Sequence, residues 1–188
     1  MNTPTQSQPT DDAALARQAR IDSDAFAELY CRHVVRIYRY HLAHTGNIKD
    51  AEDLTSQTFM AALDCIHSFR GDGSFAAWIM GIAVRKKALF FRHRKLEVPL
   101  EAALHVPTPG LPTDKAAVQQ MQIESVSRAL RQISPDRGEA LVLYFFGGLT
   151  SLEISLVTGK SEGAIKMLLS RGLKDLRERT SLVLEMEP

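Results

Sequence analysis

The chain has 188 residues, 45% of them hydrophobic, and a formal net charge of +1, which suits one domain or two small ones and argues against a membrane protein. The longest aliphatic and aromatic run, 141–146, is far too short to span a bilayer, and the polar start lacks the basic residues and apolar block of a signal peptide; a soluble, cytoplasmic protein is expected. Cys31 and Cys65 form no CxxC or Cys/His spacing, which excludes a disulfide framework and a zinc pattern and leaves two expected buried thiols.

Residues 1–12, rich in Thr, Gln, Pro and Asp, have nothing to bury and read as a disordered tail. From Asp24 to His44, the residues Phe26, Leu29, Tyr30, Val34, Ile37 and Tyr38 recur at helical spacing, and Gly46-Asn47 stops the pattern. A second helix opens near Asn47 or Asp50. It places Ala51, Leu54, Phe59, Ala62, Leu63 and Ile66 on one side and Asp50, Asp53, Gln57, Met60 and Asp64 on the other. That polar side reads either as a solvated face with acids near a helix N-terminus or as a partner surface in which Met60 stands among carboxylates.

Phe69 to Phe75 forms a loop with Gly71 and Gly73 between two aromatics, and Ser74 is placed to cap the next helix. That helix carries Trp78, Ile79, Ile82, Ala83, Leu89 and Phe90 inward, with Lys86 and His93 on the same side. Charge is unevenly spread: 85–95 is dense in cations, whereas 50–64 is acidic. Arg85, Lys86, Lys87, Arg92, Arg94 and Lys95 meet no acid until Glu97, which favours contact with a polyanion. Cations interleaved with aromatics are the composition that binds single-stranded nucleic acid, phosphates meeting Arg or Lys and bases stacking on rings. Core packing is the competing role for Phe69, Phe75 and Trp78, and at least one of them is expected to serve it.

Five interruptions between 97 and 115, at Pro99, Pro107, Pro109, Gly110 and Pro112, rule out a continuous helix and read as a linker. Helical periodicity resumes over 116–133. Ser134-Pro135 opens another helix, which ends at Gly147-Gly148. Thr150 and Glu153 fit a capping box, Gly159 a tight turn, and from Ser161 onward Ile165, Leu168, Leu169, Gly172, Leu173 and Leu176 fall on one stripe. Lys166, Met167, Ser170, Arg171 and Lys174 point away from it. Two helices, a glycine turn and a cationic outer face read as a helix-turn-helix. The expected fold is all-α: two small helical domains, 13–96 and 116–188, joined by a Pro-rich linker at 97–115. His41 and His44 form the one close histidine pair and read as polar surface or helix-end residues; with no further ligand cluster beside them, no catalytic residue, metal or cofactor is expected.

Asp50-Ala-Glu-Asp-Leu-Thr-Ser-Gln-Thr-Phe59, followed by Phe69-Arg-Gly-Asp-Gly-Ser-Phe-Ala-Ala-Trp78, resembles the second conserved region of extracytoplasmic-function sigma factors. Leu149-Thr-Ser-Leu-Glu153, Gly159-Lys-Ser-Glu-Gly163-Ala-Ile-Lys166 and Ser170-Arg171 resemble their fourth. The resemblance covers about residues 24–180 in the family's order. It implies a promoter-specificity subunit of bacterial RNA polymerase, without catalysis of its own. Its acidic face (Asp50, Asp53, Leu54, Gln57, Met60) would dock on the β′ coiled coil of core polymerase, the β flap would be a second polymerase contact, and an anti-sigma factor would regulate it. By the same resemblance, the non-template strand of the −10 element would meet Phe69, Arg70, Gly71, Asp72, Ser74, Phe75, Trp78, Arg85, Lys86, Arg92, Arg94 and Lys95, with one base taken out of its stack. The −35 element would meet Ser161, Gly163, Ala164, Met167, Ser170 and Arg171, with Lys166 and Lys174 at phosphate.

The chain departs from the family pattern at Ser56-Gln57, where a Gln-acid pair is usual, at Arg85 and Leu89, where Asn and an Asp or Asn are usual, and at Ala164, where Thr is common. Ser56-Gln57 lowers the negative charge of the implied core-binding face; the outer face of the C-terminal helix is short on strong base-reading side chains, with Arg171 its main bidentate candidate, so sharper discrimination is expected from the 69–75 loop and Arg85. The competing function is a freestanding helix-turn-helix regulator of operator DNA, distinguished by whether specific binding requires core polymerase.

Overall fold

The computed structural model describes residues 9–97 and 125–185, with side chains over 12–94 and 125–178. Helices are the only regular elements among the described residues. The N-terminal half contains α1 (Pro9–Gln18), α2 (Ser23–Thr45), α3 (Ile48–Asp64) and α4 (Phe75–Glu97), with a 3-10 turn at Ile66–Ser68. The C-terminal half contains α5 (125–131), α6 (Pro135–Phe145), α7 (Ser151–Thr158) and α8 (Glu162–Glu185).

Local chemistry sets the boundaries. Asn47 accepts the Asp50 N–H to start α3, and Ser74 Oγ accepts the Ala77 N–H, 3.1 Å away, to start α4. At α7 the Thr150 hydroxyl accepts the Glu153 N–H while the Glu153 carboxylate accepts the Thr150 N–H, so both capping-box bonds are present. Gly159 then adopts φ +72, a left-handed turn that a Cβ would strain, and Ser161 Oγ accepts the Ala164 N–H to open α8. The second helix of the helix-turn-helix buries Ile165, Leu169 and Gly172, the stripe seen in the sequence.

Several inward positions differ from expectation. In α2 the buried set Leu29, His33, Ile37 and Tyr40 leaves Cys31 on the opposite, exposed side, and Cys65 is half-buried. In α3, Thr55 and Thr58 occupy core positions by returning their hydroxyls to the carbonyls of Ala51 and Leu54, each at 2.7 Å, whereas Leu63 is exposed. Leu89 of α4 is also exposed. Residues 9–12 are helical rather than a tail, because Asp12 is buried against α2 and ion-paired there with Arg32. Residues 1–8 and 98–124, which contain most of the expected tail and linker and the start of the 116–133 helix, lie outside the described residues.

The core runs through both halves as one cluster, from Leu29, Ile37 and Met80 to Leu141, Leu143 and Ile165. Gly147 lies where α4 packs on the C-terminal half. A Cβ there would stand 3.0 Å from the Met80 methyl and 2.6 Å from the Leu143 carbonyl oxygen, so the halves meet where no side chain fits.

Candidate nucleic-acid and polymerase interface

The 69–75 loop closes on an aromatic cluster. Phe75 packs between Phe69 and Trp78, with ring centroids at 5.5 and 5.3 Å, and Phe69 and Trp78 lie 5.6 Å apart. Phe69 is 5% and Phe75 2% exposed, which assigns both to the core; neither ring is free to stack with a base. Beside them opens a cavity of about 610 Å³ lined by Arg70, Gly71, Asp72, Ser74, half-buried Trp78 and exposed Arg85. Its walls combine ring, backbone and two guanidiniums, those of Arg70 and Arg85. Such a site can take a planar group and an anion together.

The far wall of that cavity comes from the other half of the chain: Leu156 and Val157 of α7 line it as well. Nearby, the Ser74 hydroxyl donates to the carboxylate of Glu153. Burial pushes the Glu153 pKa up, but Ser74, the Thr150 backbone and hydroxyl, and Arg36 outweigh it and hold the group below the usual carboxylate range. A second junction forms around Glu139 of α6, which accepts from Tyr40 Oη at 2.7 Å and pairs with Lys87 Nζ. Burial raises the Glu139 pKa, and Lys87, His44 and the hydrogen bonds more than reverse it. His44 Nε2 is 3.3 Å from the same carboxylate, yet burial, with Lys87 adding to it, lowers its pKa to about 4; the ring is neutral and the contact is no salt bridge at neutral pH. His41 Nε2 faces Thr58 Oγ1 at 3.0 Å, and burial, then His44 and Lys87, bring its pKa to about 3. Of the histidine pair expected as polar surface or helix-end residues, His44 does stand in the last turn of α2, but neither ring is at the surface: His41 is buried and His44 half-buried, because α2 turns them toward α3 and α6. No group of three or more His, Cys, Asp or Glu is gathered for a metal ion among the described residues.

On α3, Asp53, Gln57 and Met60 are exposed, Met60 at 67%, and form one face. Asp50 is half-buried and accepts a 3.1 Å bond from Arg94, whose guanidinium also lies over Phe90. Leu54 is 2% exposed, which removes it from any docking face: it stands on the core side of the helix. On α8, Gly163, Lys166, Met167, Ser170, Arg171 and Lys174 are exposed and Ala164 is half-buried. Lys166 pairs with Glu162 at 2.7 Å and Lys174 with Glu178 at 3.7 Å.

Residues 29–96 match sigma-70 region 2 and residues 123–176 match sigma-70 region 4. The chain belongs to the sigma-70 family, in its extracytoplasmic-function group. It is 34% identical over 158 residues to the ECF RNA polymerase sigma factor BldN of Streptomyces coelicolor, covering 82% of this chain and 60% of that protein. With SigX of Bacillus subtilis it shares 26% over 86% of this chain and 87% of that one. The fold is similar to that of CnrH solved in complex with the cytosolic domain of CnrY, with a TM-score of 0.73 at 22% identity, covering 94% of this chain and 99% of that one.

Within this sigma factor, region 2 brings Arg70, Gly71, Asp72, Ser74, Trp78 and Arg85 to one cavity, while Lys86 is half-buried and Arg92 and Arg94 stand exposed further along α4. The side chain of Lys95 lies outside the described residues. Sequence reasoning missed Glu139, Tyr40 and Lys87 at the junction and Leu156 and Val157 in the cavity wall. Lys87 looked like one cation among many, and Leu156 and Val157 like ordinary apolar residues of α7; only the packing of region 4 on region 2 distinguishes them.

Proposed function

We propose that this chain confers promoter specificity on core RNA polymerase by dividing DNA recognition between its halves. Region 2 reads a displaced strand at the −10 element around Arg70, Asp72, Trp78 and Arg85, with Phe69, Gly71, Ser74 and Phe75 holding the loop and Lys86, Arg92, Arg94 and Lys95 meeting phosphates. Region 4 sets Ser161, Gly163, Ala164, Met167, Ser170 and Arg171 against the −35 major groove, flanked by Lys166 and Lys174. Asp53, Gln57 and Met60, with Asp50 at the edge, dock on the polymerase β′ coiled coil, and the exposed Tyr144, Phe145 and Leu152 offer an apolar surface for the β flap. The observation that carries this reading is a strand-sized aromatic and cationic cavity in the same chain as a capped helix-turn-helix, each inside its matching sigma-70 region. The site of action is the cytoplasm; no described helix is long and apolar enough to cross a membrane.

Geometry adds a requirement. Elements at −10 and −35 stand about 25 base pairs apart, roughly 85 Å of duplex at about 3.4 Å per step, whereas a compact chain of this length has a radius of gyration near 16 Å. The two halves must separate to hold both elements at once. The expected linker, residues 97–115, would reach about 65 Å if fully extended, to which the breadth of the two halves adds, and tethering to one polymerase then raises the effective concentration of each reader for its element. An anti-sigma partner would act by holding the closed form. The test is run-off transcription with purified core polymerase: promoter-specific transcripts are expected only with both proteins present, and specific duplex binding without core would favour a freestanding regulator.

A further inference from the structure

α1 lies outside both matched regions, which begin at residue 29, yet it is tied to the strand-reading loop at two points. Two residues past its C-terminal end, in the turn that leads to α2, Arg20 Nη2 donates to the Phe69 carbonyl at 2.8 Å, across 49 residues of sequence. Beside it, the Arg17 guanidinium is 3.9 Å from where a Cβ on Gly71 would stand, and Gly71 has φ +84; the Arg17 side chain reaches the loop at its left-handed residue. At the other end, Asp12 is 6% exposed and faces two residues of α2: Arg32 Nη1 at 2.9 Å and His33 Nε2 at 2.7 Å. His33 in turn packs on Phe75, ring centroids 5.2 Å apart, and Phe75 is the ring on which Phe69 and Trp78 close. Ala16 and Ala19, small and buried, let the helix lie close against α2 and α4.

We propose that α1, with the turn after it, is a clasp that positions the strand-reading loop, with Arg20 fixing the loop's entry through the Phe69 carbonyl and Asp12 fixing its floor through His33 and Phe75. The inference rests on the assignment of that loop to the −10 strand. The physical reason is pre-organisation. Gly71, Asp72 and Gly73 are exposed and span the loop with little packing of their own, so without an external anchor the loop would sample many conformations, and binding a strand would carry the cost of ordering it. A charged donor on a backbone carbonyl is one of the stronger single anchors available.

The test uses the full chain bound to core polymerase. The probe is a fluorescent single-stranded oligonucleotide carrying the non-template sequence of a promoter that the holoenzyme transcribes. Arg20→Ala is expected to weaken strand binding about tenfold, with core affinity and binding to the −35 duplex unchanged. Arg20→Lys should recover part of the loss, since an ammonium can still reach the carbonyl. Asp12→Asn should lower strand affinity less, and in the same selective way. Equal losses of strand, core and −35 binding in Arg20→Ala would overturn the proposal by making α1 a general stabiliser. Wild-type strand binding by Arg20→Ala, with Arg85→Ala still impaired, would overturn the clasp alone. If Arg85→Ala and Arg20→Ala both bind the strand normally, the assignment of the loop falls and the clasp with it.

Discussion

In region 2 the residues proposed to read a strand surround a cavity whose back wall is the hydrophobic core itself, whereas in region 4 they stand on the outer face of a single helix. Phe69 and Phe75 are buried and Trp78 is half-buried, so the strand site cannot be altered without touching the packing of α1, α2 and α4. Met167, Ser170 and Arg171 are exposed and make no comparable core contact. In one half, recognition and stability share side chains; in the other, they are separable. Substitutions of Phe69, Phe75 and Trp78 should therefore mix loss of fold with loss of specificity, while those on the exposed face of α8 should change binding alone.

The largest expected effect tests the first half of that contrast. Phe75→Ala removes a ring that is 2% exposed and should cost about 3–5 kcal/mol of stability, visible as an early transition in urea unfolding. A loss below about 1 kcal/mol would mean that the cluster is not part of the core. Next comes the junction between the halves. His41 and His44 have folded pKa values lowered to about 3 and about 4, while in the unfolded chain they titrate near 6.5. The unfolded state therefore binds more protons below that value; the stability contributed by keeping the rings neutral is complete above pH 6.5 and is lost as pH falls toward 4. The share of His44 should reach about 2 kcal/mol by pH 5, and His44→Gln should flatten the acid limb of stability against pH by that amount. An unchanged limb would place His44 in water rather than against Glu139 and Lys87.

Smaller effects belong to the exposed faces. Arg171→Ala should cost about 1–3 kcal/mol at a promoter with a −35 element, much less at one lacking it, and leave the unfolding midpoint where it was; equal losses on both promoters would take Arg171 out of −35 recognition. Asp53→Ala combined with Gln57→Ala should weaken co-purification with core polymerase while thermal unfolding stays unchanged, and wild-type recovery would remove α3 from the docking surface. The least effect is expected from Lys166→Ala, because that ammonium already pairs with Glu162: the slope of log affinity against log salt should fall by about 1, with sequence preference intact.

The legibility of the two halves follows the same division. The stripe of α8, the capping box at Thr150 and Glu153, the Gly159 turn and the cap at Ser74 are contacts within a few residues, so spacing alone predicts them and the structure bears them out. Met60 among the acids of α3 could likewise be read as exposed from a helical wheel. Burial of Thr55, Thr58, His41 and Asp12 could not, because each is made tolerable by a partner: a carbonyl one turn back for the threonines, Thr58 for His41, and Arg32 with His33 for Asp12. A polarity pattern assigns such residues to solvent, and the hydrogen bonds that reverse the assignment join positions up to 21 residues apart.

The sequence by itself determined that the chain is helical, that its C-terminal helices form a capped helix-turn-helix, and that a glycine loop between aromatics precedes a basic helix, since local hydrogen bonding and 3.6-residue periodicity dictate all three. Only the tertiary structure decided that Phe69 and Phe75 are core rings rather than stacking platforms, that Leu156 and Val157 close the cavity beside the 69–75 loop, that Glu139 gathers Tyr40, His44 and Lys87 between the halves, and that α1 and the turn after it reach the loop. Those outcomes depend on which helix faces meet across 50 to 100 residues of chain, where burial and charge pairing, not local propensity, select the contact.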